Sequence, residues 1–423
     1  MHLILLSGEN LKLARLEAET LLRLEDTRLE GNYLYCTIPT ESMKLVNRLS
    51  YTKKLNEIVF VTAHKNLELS LKAYPWINYY EKNFCVRITS DEHYDERYYA
   101  GFVWQSLEKS IRPAVNLDNA GLSIEIFISK EKAVVTRVLY QNFETFENRK
   151  AHLKPVLHPT AMHPKMARAL VNIVNSNTII DPFCGACGIL IEAGLLGVKF
   201  IGYDIDKNIL ESARINLEHY DINPDHYKLI VKDSTTIRNL QNVVTDLPYG
   251  KSSKKSEELI TLYAKFLRNL SGRAVIVMPS FMPYKSLLEK NLPKSLTVLT
   301  IIDHYVHKSL TRKIIVIDKK SGNNNMIKKA RKSGEKAKIT KKKIIAKKKT
   351  NNMKKISHKQ NKHNDAKNKN VSNISHRKTH TKKKNVKKIV HKKKIRHHIL
   401  KKKNNKKKSN RVIKSKKSIK RKK

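Results

Sequence analysis

Asp181-Pro-Phe-Cys-Gly-Ala-Cys-Gly188 closes the apolar strand-like run Thr178–Ile180 and turns into a helical segment. A strand ending in an acid, then a glycine-bracketed turn, then a helix, is the opening unit of a parallel α/β sheet. The same style repeats downstream. Strands are expected at Phe200–Tyr203, Lys228–Val231, Val243–Val244 and Ala274–Met278, with helical segments between most of them. The last apolar runs, Leu296–Ile302 and Lys313–Ile317, are joined by a polar link too short for a crossover helix, so they must pair antiparallel. The expected fold is α/β, a doubly wound, mostly parallel sheet with an antiparallel last strand, over residues 177–318.

Upstream of the loop the pattern differs. Residues 1–50 combine strand-like Leu3–Leu6 and Tyr33–Ile38 with a helical pattern from Leu11 to Leu24. Residues 51–145 carry strand candidates Ile58–Thr62, Phe84–Thr89, Leu122–Ile128 and Val134–Tyr140, and a helix candidate Tyr98–Ile111. Alternation in Ser123-Ile-Glu-Ile-Phe-Ile128 suggests a sheet with one wetter face, so this is a small α+β region. Residues 146–176 form a proline-punctuated connector and a leading helix, with Pro164 at its first turn.

Charge divides the chain again. The net charge is +49, but residues 319–423 hold about 45 Lys/Arg against about 2 acids, which leaves residues 1–318 near +6. A Lys/Asn/Ser/His/Ile-rich segment without other aromatics cannot offset its ordering entropy, so residues 319–423 are expected to be a disordered tail. Its charge suits nonspecific nucleic-acid contacts through counterion release, and its lack of aromatics argues against base reading. Four cysteines and no secretory signal point to a cytoplasmic, reduced protein, and no stretch approaches a membrane span.

Glycines at Gly185 and Gly188 permit positive φ and bring backbone N–H groups close to a ligand at a helix start. Asp204 closes the second strand, where an acid can grip ribose hydroxyls, and Asp233 follows the third. Loop and strand-end acids in this order point to a nucleotide-like cofactor. The loop is not G-x-G-x-x-G and lacks the Lys-Ser/Thr of a triphosphate loop, which argues against NAD and ATP. Cys184-Gly-Ala-Cys187 could be read as a C-x-x-C metal or redox pair. No second C-x-x-C accompanies it, so the two thiols are expected to fill a tight loop, with no metal.

Thr245-Asp-Leu-Pro-Tyr-Gly250 follows the fourth strand and so falls at the carboxyl edge, beside the loop. An exocyclic amine of guanine or adenine is a poor nucleophile because its lone pair is delocalised into the ring. Alkylating it requires a carboxylate, here Asp246, to accept its hydrogen bonds and hold it in line. The carbonyl of Leu247 could assist because Pro248 fixes the turn, and Tyr249 offers a face for an extruded base.

These two motifs, in this order, resemble those of class I (Rossmann-like) S-adenosylmethionine methyltransferases acting on exocyclic amines. More closely, residues 1–318 resemble the archaeal tRNA (guanine-10-N2) methyltransferases. The resemblance rests on Leu6-Ser-Gly-Glu-Asn-Leu-Lys-Leu-Ala14, on His158-Pro-Thr-Ala-Met-His-Pro-Lys-Met-Ala-Arg-Ala-Leu170, on Asp181–Gly194 and on His307-Lys-Ser-Leu-Thr-Arg312. It implies S-adenosylmethionine as cofactor, tRNA as partner, and one or two methyl transfers to N2 of guanosine. It also implies a ferredoxin-like segment over 1–50 and a THUMP-like RNA-binding domain over 51–145. Asp181, Gly185, Asp204 and Asp233 would bind cofactor, with their neighbours Pro182, Phe183, Gly188, Ile205 and Ser234. Asp246, Pro248 and Tyr249 would act on the base. Two residues depart from the family pattern. Cys187 stands where a smaller residue such as glycine is usual, so a positive φ there would be strained, and Leu247 stands where a first proline is commoner. A monomer is expected. Competing readings are another tRNA position, ribosomal RNA, adenine in DNA, or an RNA-compacting protein with an inactive fold.

Overall fold

The computed structural model describes residues 1–156, 162–249, 253–308 and 310–320; side chains of 253–256 are left aside. The basic segment from 321 onward, expected to be a disordered tail, lies outside the described residues. So do His158 to Ala161, part of the connector motif, and Gly250.

The amino-terminal part forms one seven-stranded sheet. Its elements in chain order are β1 (His2–Leu6), α1 (Leu11–Leu21), β2 (Arg28–Glu30), β3 (Tyr33–Cys36), β4 (Thr52–Ala63), α2 (Leu67–Ala73), β5 (Phe84–Thr89), α3 (Glu96–Leu107), β6 (Leu122–Ile128) and β7 (Lys132–Gln141). The strand order is β2-β3-β1-β4-β7-β6-β5. Long β4 joins the two ends, pairing antiparallel with β1 on one side and β7 on the other. Helix α1 stops at Leu21, short of the expected Leu24, because Arg23 takes a left-handed backbone (φ 54°). Leu22 and Leu24 remain buried in the loop that follows, so their apolar periodicity reflected burial rather than helix.

Two separate cores lie behind this sheet. Leu67, Trp76, Phe84, Val103 and Ile124 pack among themselves. Leu13, Ala14, Ala18 and Leu21 of α1 instead belong to the core that contains Met166, Leu170 and Ile173. These last residues lie on α4 (Pro164–Val174), the leading helix of the carboxyl-terminal half. A buried carboxylate fastens this junction. Glu17 accepts from the Ser50 and Tyr51 amides at 2.8 and 2.9 Å, and from Asn172 Nδ2 on α4 at 2.7 Å. Buried polar groups persist only when bonded in this way.

The second sheet contains β8 (Thr178–Asp181), α5 (Gly188–Leu195), β9 (Lys199–Asp204), α6 (Lys207–His219), β10 (Tyr227–Val231), β11 (Val243–Asp246), α7 (Ser253–Arg268), β12 (Ala274–Pro279), α8 (Tyr284–Asn291), β13 (Leu296–His307) and β14 (Leu310–Lys319). The order is β10-β9-β8-β11-β12-β14-β13, with the first five strands parallel. Strand β14 runs antiparallel to both β12 and β13, as the short polar link requires. The order in which strands are added reverses between β8 and β11, which opens a crevice at their carboxyl ends.

Candidate active site

The loop after β8 is held from below by Asp181. Its Oδ1 accepts from Phe183 N at 3.1 Å and from Thr245 Oγ1 on β11 at 2.6 Å. Asp181 is 2% exposed, so its carboxylate ties the loop to β11. Burial, with Asp246 and Asp204 nearby, pushes its pKa up to about 7. Cys184 N donates to Tyr203 O at 2.9 Å, which ties the loop to β9 as well. Phe183 packs edge-on against Phe266 of α7, ring centroids 5.3 Å apart.

Gly185 sits at φ 51°, with nothing within 4 Å of the place where a Cβ would stand. Its amide donates to Asp204 Oδ2 at 3.1 Å, while Asp206 N donates to Asp204 Oδ1 at 3.0 Å. A second glycine, Gly202 on β9, is required by packing: a Cβ there would lie 2.8 Å from Leu190 and 3.0 Å from Cys184 Sγ. This close approach of α5 to β9 brings the loop up to Asp204. Beyond it Ile205 is 73% exposed, an apolar side chain presented at the strand end. Asp233 caps the turn after β10 by accepting from Thr235 N at 2.8 Å, and Ser234 is buried behind it. Pro182, Gly188 and the acids at 181, 204 and 233 thus all fall on the carboxyl edge.

Cys187 carries the strain that its position implied. It caps α5 with φ 62° and ψ 32°, left-handed for a side chain that disfavours it. Both loop thiols are buried, and Cys184 hydrogen-bonds Cys187, which with burial lifts its pKa well above the ordinary thiol range.

The Asp246 turn faces the loop. Leu247 is 1% exposed, and its amide donates to Val277 O at 3.0 Å, a bond that a proline could not make. The Pro248 carbonyl accepts from Tyr263 OH on α7 at 2.5 Å, which pins the turn from behind. Tyr249 OH donates to Asp246 Oδ1. Arg312 of β14 places Nη2 3.3 Å from Asp246 Oδ2 and donates from Nε to Tyr249 OH at 3.1 Å. Burial raises the Asp246 pKa to about 6 even though Arg312 and the tyrosine hydroxyl pull it down.

Sequence reasoning found the acids and glycines but not Arg312, Thr245, Tyr263 or Lys154. The Lys154 ammonium stands 3.7 Å from where a Cβ on Gly188 would be, at the start of α5, and burial lowers its pKa. Arg312 had one available signal. An antiparallel β14 must begin at the carboxyl edge of the parallel strands, so a cation at its start reaches the site.

A parallel sheet that reverses at β8/β11, a glycine loop feeding strand-end acids, and an Asp-Leu-Pro-Tyr turn beside it define a class I methyltransferase. A family model described as an RMKL-like methyltransferase domain matches residues 151–314, and one described as a DNA methylase matches residues 33–214. A tRNA (guanine(10)-N2)-dimethyltransferase from Methanothermobacter thermautotrophicus is 30% identical over 341 residues, 75% of this chain and 99% of that relative. One of the same name from Methanocaldococcus jannaschii is 32% identical over 218 residues, 48% of this chain and 60% of that relative. The chain belongs to the tRNA (guanine(10)-N2)-dimethyltransferase family. Among solved structures, TrmN from Thermus thermophilus aligns over 75% of this chain and 99% of its own, at 17% identity and a TM-score of 0.44.

Proposed function

We propose that this protein methylates the exocyclic N2 of a guanosine in tRNA, at position 10, with S-adenosylmethionine as methyl source. The observation that carries the reading is the Asp246 carboxylate, partly buried at the strand edge between Tyr249 and Arg312 and facing the glycine loop.

The loop suits this cofactor. Gly185 and Gly188 leave the α5 amides open, Lys154 stands beside them for a carboxylate, and Asp204 keeps lone pairs for hydroxyls. Exposed Ile205 offers an apolar face to a base, with Asp233 and Ser234 at its edge. Bound there, the cofactor supplies an electrophilic sulfonium methyl, so no covalent nucleophile is needed from the protein.

Asp246 accepts from the N2 amine and orients its lone pair. The Tyr249 ring supplies a stacking surface, and Arg312 keeps the carboxylate charged in a dry site. Residues 51–145 act as a THUMP-like RNA-binding domain that sets the reach to an extruded base. Residues 319–423 add nonspecific phosphate contacts.

The test is nucleoside mass spectrometry of a tRNA transcript incubated with protein and cofactor. N2-methylguanosine and its dimethyl form are expected, absent when guanosine 10 is replaced. Asp246→Ala should slow the reaction by roughly 10²–10⁴-fold. Methylation of a different nucleoside, or an unaffected Asp246→Ala, would overturn the reading.

A further inference from the structure

Away from the strand edge, where the turn after β3, the connector and α4 meet the end of α5, lies an open cleft of about 440 Å³. Arg48, Arg149, Arg168 and Glu144 line it, with Leu195 at its rim. Two of the three arginines are satisfied. Arg149 Nε lies 2.8 Å from Glu192 Oε1 and its Nη1 2.7 Å from Glu144 Oε1. Arg168 reaches the same two acids, at 2.9 Å to Glu192 and 3.3 Å to Glu144.

Arg48 is different. Its Nε and Nη2 are buried and have no hydrogen-bond partner among the described residues. Burial lowers the Arg48 pKa, and the neighbouring charge that acts on it, from Arg168, is repulsive and lowers it further. Three cations against two carboxylates leave a surplus of one positive charge, on a guanidinium that cannot shed its proton at physiological pH. Two guanidinium donors shut from water without a partner are costly to leave unmet, and a guanidinium fork matches tetrahedral oxyanions.

We propose that this cleft is an anion site in which Arg48 binds a phosphate-class oxyanion, either free phosphate or a phosphate of an RNA backbone. The site is separate from the Asp246 crevice and does not depend on the methyl-transfer reading. Because its walls come from the amino-terminal segment (Arg48), the connector (Arg149) and the second sheet's helices (Arg168, Leu195), an occupant would brace the junction of the two sheets.

The test compares full-length wild type with Arg48→Met and Leu195→Glu, by melting temperature across inorganic phosphate concentration. The Lys-rich segment is common to all three proteins, so differences between them report on the cleft. Wild type should gain melting temperature saturably. Arg48→Met should lose at least tenfold in apparent phosphate affinity. Leu195→Glu, which puts a carboxylate at the rim, should melt higher than wild type without phosphate and respond little to it.

If Arg48 is only structural, for example paired with Asn172, phosphate will shift all three proteins equally, and the proposal is overturned. A tRNA arm separates the two sources. An RNA phosphate predicts that Arg48→Met lowers the slope of log affinity against log salt by about one. Free phosphate predicts an unchanged slope, with the phosphate-dependent melting shift present in wild type and weakened in Arg48→Met. If Arg48→Met does not fold, Leu195→Glu decides alone: a phosphate response equal to wild type overturns the site.

Discussion

Arg312 Nη2 lies 3.3 Å from Asp246 Oδ2, although the two residues sit on strands separated by β12 and by most of the second half of the domain. The pairing sets the charge of the group proposed to receive an amine. Burial pushes the Asp246 pKa up, and the guanidinium and the Tyr249 hydroxyl pull against it, leaving it at about 6.

The rate should therefore fall on the acid side as Asp246 gains a proton, with a limb in kcat/KM near pH 6. Arg312→Gln removes the main influence holding the pKa down, so this limb should move up by roughly one to three units. Tyr249→Phe removes one lowering hydrogen bond but keeps the ring, and should move the limb in the same direction by less. A pH–rate series on the three proteins decides it. An acid limb that ignores Arg312→Gln would show that Asp246 is not the titrating group.

Asp181 makes the opposite contribution to stability from a paired surface acid. Its folded pKa of about 7 lies above the ordinary 3.8, so the folded state holds a proton that the unfolded chain releases. Its stabilising contribution is complete below about pH 4 and is lost as pH rises toward 7. Asp181→Asn keeps the acceptor for Thr245 Oγ1 and Phe183 N but has no charge to bury. The variant should gain stability relative to wild type steadily between pH 4 and 7, seen as diverging melting temperatures. A constant difference across that range would contradict this account of Asp181.

The contrast between these two acids shows what could be read before the structure. Both were recognisable from the strand-end motifs, since a strand, a glycine turn and a helix leave a local record. What sets the charge of each was not. It depends on Thr245, 64 residues beyond Asp181, and on Arg312, 66 beyond Asp246. Such partners are set by strand order, and strand order leaves no periodic signal. Local reading also misplaced the end of α1, because Leu22 and Leu24 are as buried as helical residues would be. The three-residue β2, largely exposed, is too short for its alternation to be told from a loop.

Cys187 separates backbone strain from packing. At φ 62° any Cβ costs roughly 1–2 kcal/mol relative to glycine. Cys187→Ala retains that strain and loses the buried thiol with its contact to Cys184. Cys187→Gly loses the same thiol but relieves the backbone. Alanine should therefore be the less stable of the two by about 1 kcal/mol, measurable as a lower denaturant midpoint at equal slope. Equal stability, or a more stable alanine variant, would mean that the loop relaxes out of the left-handed conformation.

The basic segment makes a claim about salt rather than about chemistry. Removing residues 319–423 takes away about 45 Lys/Arg and leaves a body of charge near +6. Each phosphate neutralised by a cation contributes nearly one unit to the slope of log affinity against log salt. A truncated protein ending at residue 318 should bind tRNA with a much shallower slope and lose affinity chiefly at low salt. Its turnover at saturating tRNA should match the full chain, because every side chain around Asp246 lies before the cut. Filter binding across a salt series, with single-turnover rates beside it, gives both quantities. A truncation that lowered the saturated rate while leaving the salt slope intact would assign the segment to positioning the base instead of holding the RNA.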